Sequence, residues 1–168
     1  MDAPRDTAGE HQRLNAKKSG RDGIDPRGPR FSAAITSVVL AVALLAIPSS
    51  SSGSQTVAVA LVVFQALVFG FATFRGLDAH LYGRIFRSVV APRLGPPVEL
   101  EDEAPPRFSQ LVGFLFMVVA LLGFGFGILW VAQIAIGFAL AAALLNAVFN
   151  YCLGCEMYLL AARIRART

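Results

Sequence analysis

The sequence predicts an all-α membrane protein whose four transmembrane helices form two hairpins. Three observations carry that expectation: four apolar runs of nearly membrane-spanning length, the confinement of every lysine and arginine to the segments outside them, and a short motif that precedes each pair of runs. Hydrophobic residues make up 55% of the 168 residues and charged residues 15%, against about 25% charged in an ordinary soluble domain. The shortfall is local, with charge absent from long stretches and concentrated between them.

The runs are Phe31 to Ile47, Thr56 to Phe74, Leu111 to Val131, and Ile134 to about Leu153. Each approaches the ~20 helical residues that cross ~30 Å of hydrocarbon. The fourth is expected to continue as an amphipathic end to about Ile164. A cleaved signal peptide fits the first run poorly, because the polar segment before it is too long and the run exceeds the usual ~7–15 residues. Pro48 to Gln55 forms an uncharged turn within the first hairpin, and a link around Ala132 and Gln133 is expected within the second. Residues 1–30 read as a disordered basic tail, residues 31–164 as the four-helix domain with a loop over 75–110, and residues 165–168 as a C-terminal tail. The loop opens basic and helical from Gly76 to Val90, passes through the proline-rich stretch Pro92 to Pro97, and closes on the acidic block Glu99 to Glu103 before Pro105 and Pro106. Prolines at that density interrupt a helix. The acidic block is expected to pair with the loop's own arginines.

All fifteen basic residues lie in the tail, the 75–110 segment or the C-terminal end, and none in the two other links. The positive-inside rule then makes those three segments cytoplasmic, with both termini on that side of the cell membrane. This sorting accounts for the net charge of +4. Nucleic-acid binding is not expected, since no basic and aromatic residues interleave on a surface.

Pro29-Arg30-Phe31-Ser32 recurs as Pro106-Arg107-Phe108-Ser109. Each copy stands before the first helix of a hairpin, where proline suits a helix start. Arg30 and Arg107 are placed to reach lipid phosphates, with Phe31 and Phe108 anchoring at the interface. Leu77 and Tyr82 are echoed by Leu153 and Tyr158. The pattern fits two parallel repeats related by an axis along the membrane normal, and equally two interfacial anchors of separate origin. Glycines at 70, 113, 123, 125, 127 and 137 are read as helix-packing positions.

The sharpest chemical feature is Tyr151-Cys152-Leu153-Gly154-Cys155-Glu156. Cysteines at i and i+3 share a helix face with Cα atoms near 5 Å apart, within disulfide range. Glu156 is placed to accept a thiol proton during exchange. On a continuous fourth helix the pair falls toward a C-terminus, where the helix dipole does not favour a thiolate. Two packing residues in a reducing compartment remain the plain alternative. Asn146 and Asn150, taken as i, i+4 neighbours within that helix, hydrogen-bond to other helices, with Gln65 as a partner by depth, or line a path leading to the cysteines. His80 is read as a solvated loop residue. It and Glu156 are available to the cysteines as metal ligands, but no spacing demands a metal, and neither a metal nor a cofactor is expected.

The stretches Asp25 to Phe31, Pro92 to Pro97, Pro105 to Phe108 and Tyr151 to Glu156, in that order, resemble a family of small actinobacterial membrane proteins known as domain of unknown function 4395. The likeness covers about residues 25–160. Members often stand beside thioredoxin-like and rhodanese-type sulfurtransferase proteins, so the resemblance implies thiol redox or sulfur metabolism and a cytoplasmic partner of that kind. Only Cys152 and Cys155 map onto the family's cysteine motif, and the Gly76–Val90 segment departs from its pattern. Three readings follow: a thiol-redox partner using Cys152, Cys155 and Glu156; a small transporter or channel with Asn146 and Asn150 on its path; and a membrane anchor recruiting a partner through the 75–110 loop. Four short spans make a thin bundle, compatible with self-association.

Overall fold

The computed structural model describes residues 23–47, 52–97 and 100–166. The tail over 1–22, most of the turn after Ile47, and Glu99 of the acidic block lie outside them. Among the described residues four helices are long and apolar enough to cross a membrane, and the chain is an all-α membrane protein. They are α1 (Arg27–Ala46), α2 (Ser52–Arg75), α5 (Ala104–Gly125) and α6 (Leu129–Phe149). Between α2 and α5 run a 3-10 turn at Leu77–Ala79, α3 (Leu81–Ile85), a π turn at Phe86–Val90, and α4 (Ala91–Leu94); α7 (Leu153–Arg165) follows α6.

Helix α1 starts four residues earlier than the apolar run implied. The Asp25 carboxylate accepts from the Arg27 N–H at 2.9 Å, satisfying one of the amides left open at a helix start. Pro29 in the first turn costs no hydrogen bond there. Pro105 and Pro106 open α5 in the same way. Within the spans, Ser32, Ser37 and Thr73 donate to carbonyls one turn back, which satisfies their hydroxyls without water.

Each transmembrane helix packs on two others: α1 on α2 and α6, and α5 on α2 and α6. Leu40, Val62, Met117 and Ile136 are fully buried at the centre, beside Ala43, Ala58, Ala120 and Ala132. Small residues set the closest approaches. A Cβ on Gly113 would lie 2.9 Å from the Phe69 ring, and van der Waals packing of this kind holds helices together in lipid. The outer faces remain apolar, with Leu45, Phe74 and Phe138 each more than 60% exposed, as lipid contact requires.

Two boundaries differ from the sequence expectation. The second hairpin turns at Phe126–Ile128, not around Ala132 and Gln133: Gly127 takes φ +71° there, and a Cβ on Gly123 would meet the Ala132 nitrogen at 2.8 Å. This turn carries no polar residue, so hydropathy passes through it unmarked. The fourth span also does not continue to Ile164. Asn150 is left-handed (φ 55°, ψ 29°), and its N–H and that of Tyr151 turn back to the carbonyls of Asn146 and Leu145. Asparagine tolerates that conformation better than most residues, and α7 begins anew at Leu153.

The repeat has a geometric counterpart. Ile24 and Glu101 form an antiparallel bridge, each N–H donating to the other's carbonyl, at 2.8 and 3.0 Å. Their offset equals that from Pro29 to Pro106, from buried Leu40 to buried Met117, and from Ala43 to Ala120. A residue paired with its own equivalent is the arrangement that a two-fold relation between the halves produces.

Candidate functional site

The end of the bundle where α1 and α5 begin carries Arg27, Arg30, Arg75, Arg93 and Arg107. The repeated arginines do more than face lipid. Arg30 donates to the Ala147 carbonyl at 2.9 Å and to that of Val148 at 3.4 Å, at the C-terminus of α6. Arg107 donates to the Thr73 carbonyl at 2.8 Å, at the end of α2. Each hairpin's first helix thus caps the other hairpin's second, where open carbonyls and the helix dipole favour a cation. Phe31 packs at a tilt on Phe86 and Phe108 on Tyr158, with centroids 5.7 and 5.8 Å apart.

At this same end Cys152 and Cys155 are joined as a disulfide, with Cα atoms 5.2 Å apart. The break at Asn150 reverses the expected electrostatics. Cys152 is the N-cap of α7, and its sulfur accepts from the Cys155 N–H at 3.3 Å. A cysteine at a helix N-terminus has its thiolate favoured by the dipole and the open amides. Gly154 seats this turn on α5, since a Cβ there would lie 2.7 Å from the Ser109 Cα. Glu156 stands in the first turn of α7, exposed.

Two hollows meet at the pair. A groove of about 360 Å³ is lined by Asn146, Asn150, Cys152, Cys155 and Glu156, and by Glu101 and Asp102 from the loop. A cavity of about 280 Å³ lies beneath α7 where α1, α5 and α6 meet, bordered by Ser32 and Thr36 of α1 and with apolar walls that include Val112, Phe116, Phe138 and Ala142. Its lining also includes Ser109, Gln110, Asn146 and Cys152. Cys152 and Asn146 border both hollows, whereas Cys155 and Glu156 border only the groove. Asn150 lies past the end of α6 and is exposed, so it is not an intrahelical neighbour of Asn146.

Gln65 does not reach these asparagines. Its amide donates to the Thr36 hydroxyl at 3.3 Å and accepts from the Tyr82 hydroxyl at 2.9 Å. His80 is 3% exposed, so it is not the solvated loop residue that its position implied. Its Nδ1 is 3.4 Å from the Ser32 hydroxyl and its Nε2 is buried without a partner. Burial, aided by the charge of Arg87, pushes its pKa down to about 4, so it is neutral near pH 7. His80 borders a separate hollow of about 250 Å³ that does not include the cysteines. The described residues of the acidic block bond to backbone amides rather than to the loop's arginines: Glu103 accepts from the Leu77 N–H at 2.8 Å and Asp102 from the Ala104 N–H at 3.0 Å. At this end Arg27 pairs with Asp25 and Arg87 with Asp78.

Sequence reasoning missed the cavity and Gln110, whose Oε1 is buried without a partner. The position of Gln110, directly after the repeated Pro-Arg-Phe-Ser motif, was the available signal.

A family model described as Domain of unknown function (DUF4395) matches residues 24–163, and the chain belongs to that family. No curated protein and no solved structure matches it.

Proposed function

We propose that this DUF4395 member carries a membrane-surface dithiol–disulfide centre, Cys152 and Cys155, that exchanges electrons with a soluble thioredoxin-like or rhodanese-type protein. The charged end is taken as the cytoplasmic face of the cell membrane, with both termini there, by the positive-inside rule. One observation carries the reading: Cys152 caps α7 and accepts from the Cys155 N–H, beside a groove open to solvent.

That placement suggests the order of events. A partner thiolate attacks the Cys155 sulfur from the groove, forming a mixed disulfide. Cys152 leaves as a thiolate, stabilised by the Cys155 N–H and the α7 dipole, and a better leaving thiolate speeds exchange. The partner's second thiol then attacks its own mixed disulfide and releases Cys155. Two electrons and two protons have moved from the partner to the pair. Glu156, one turn from Cys152, relays a proton at the groove.

The test is a trapping experiment on the protein in nanodiscs, using a reduced thioredoxin whose resolving cysteine is replaced by serine. With the oxidised wild type the adduct is expected on Cys155, leaving Cys152 as the thiol open to alkylation, and about tenfold less adduct is expected on Cys152. Absence of any adduct with the oxidised wild type would overturn the proposal. Transport is less well supported. The fully buried layer of Leu40, Val62, Met117 and Ile136 lies beyond the cavity's lining, so Asn146 borders a dead-end hollow in this conformation.

A further inference from the structure

We infer that the cavity beneath α7 receives a lipid-borne quinone, and that Cys152 and Cys155 reduce it. This rests on the thiol reading above and names the second substrate of the same centre. The argument begins with access. Phe138 and Met157 border the cavity and are 62% and 54% exposed on the outer surface of the bundle. The mouth therefore opens sideways into hydrocarbon, and a solute entering that way is dissolved in the bilayer. Its volume of about 280 Å³ lies near the lower end of small-molecule sites, roughly 300–1,000 Å³, which suits one substituted ring whose tail stays in lipid.

Chemistry narrows the occupant further. The walls are apolar, but Ser109, Gln110 and Asn146 gather at the charged end of the lining with Cys152. Buried polar atoms ordinarily have partners, and Gln110 Oε1 has none. A planar ring with oxygens at its edge matches this arrangement: a hydroquinone O–H donates to Gln110 Oε1, and the Ser109 hydroxyl and Asn146 amide are donors for a quinone carbonyl. Cys152 alone of the two cysteines borders both cavity and groove. The dithiol partner therefore approaches from one side of the pair and the quinone from the other.

The reaction balances. In the reduced protein both S–H bonds break and the S–S bond forms. Two electrons and two protons pass to the quinone, whose carbonyls become the hydroxyls of a hydroquinone. The soluble dithiol then reopens the disulfide as described above, so the protein carries electrons from a thiol protein to the quinone pool.

The experiment mixes the pre-reduced protein in nanodiscs with decylubiquinone under anaerobic conditions, and follows quinol formation and disulfide formation together. The Cys152→Ser/Cys155→Ser double variant supplies the background rate. One quinol is expected per disulfide formed. Ala142→Trp, which fills the cavity wall, is expected to slow quinol formation about tenfold or more relative to thioredoxin exchange measured on the same sample. Gln110→Leu provides a second handle that keeps side-chain bulk similar, and is expected to raise the half-saturating quinone concentration about tenfold, as for one lost hydrogen bond. Rapid thioredoxin exchange without quinol above background, or quinol formation indifferent to both variants, would overturn this inference and leave the thiol reading standing. Absence of both exchange and quinol formation would sink the two together.

Discussion

The two halves of this chain treat the segment after their second helix in opposite ways. After α2 the chain turns back onto α1 and buries what it carries: His80 against Ser32, and Tyr82 with its hydroxyl on Gln65. After α6 it turns back onto α5 and keeps its polar chemistry at the surface, with Cys152 and Cys155 half-buried beside a groove and Glu156 exposed. Both segments share ring packing on the repeated phenylalanine and reciprocal arginine capping. The shared parts hold the bundle closed, which leaves one copy of the segment free to plug its half and the other to present the cysteine pair. The difference turns on single residues at the two turns: Gly76 at φ 91° starts the first segment and Asn150 at φ 55° starts the second.

At neutral pH the contrast is broken most strongly at the glycines seating each segment. A Cβ on Gly154 would press on Ser109 backbone at 2.7 Å, whereas one on Gly28 would meet the Phe86 ring at an ordinary 3.4 Å. Gly154→Ala must push α7 off α5, at about 2 kcal/mol by analogy with overpacked cores, and should slow thiol exchange because the cap geometry moves with α7. Gly28→Ala is expected to be neutral, or stabilising by up to about 1 kcal/mol through helix propensity. Thermal unfolding in nanodiscs reads both. Equal shifts for the pair would mean that the two segments are seated alike.

A second effect belongs to the first half alone. His80 is held neutral by burial, with its pKa pushed down to about 4, while an unfolded histidine titrates near 6.5. Above pH 6.5 neither state binds the proton and His80 contributes no pH dependence. As pH falls from 6.5 toward 4, the unfolded chain takes up a proton that the native state refuses, so stability declines, by up to about 3 kcal/mol at pH 4. His80→Gln should flatten that part of the stability–pH curve, and an unchanged slope would show that His80 is solvated after all.

Much of the fold was legible because lipid imposes simple rules. Run length found the four spans, and the sorting of arginines found the end where α1 and α5 begin. What escaped was whatever hydropathy cannot see. The turn at Phe126–Ile128 is as apolar as the helices it joins, and the break at Asn150 depends on one backbone conformation within an otherwise helical pattern. That break mattered most, since it moved Cys152 from an unfavourable helix end to an N-cap. The pair itself was visible from its spacing, and the surroundings that give it meaning were not: the cavity exists only where α1, α5, α6 and α7 converge. His80 was misplaced for a related reason, because a histidine in a polar stretch carries no local sign that the stretch will fold back onto α1.

The smallest expected effect tests the symmetry itself. Arg30 and Arg107 occupy equivalent places, but Arg30 reaches two carbonyls of α6, at 2.9 and 3.4 Å, and Arg107 one of α2, at 2.8 Å. Both side chains are exposed, so each capping bond should contribute only about 0.3–1 kcal/mol. Arg30→Gln and Arg107→Gln should therefore lower stability by similar small amounts, with Arg30 slightly the larger. They should differ in their consequence for chemistry. Arg30 grips the last turn of α6, immediately before the Asn150 break that sets Cys152 at its cap, whereas Arg107 grips α2, whose following segment carries no cysteine. Arg30→Gln is expected to slow thiol exchange by about twofold to threefold, an effect within the range of one weakened capping bond, and Arg107→Gln to leave it nearly unchanged. An equal loss of exchange in both variants would mean that the arginines act on the bundle as a whole rather than each on the helix it caps.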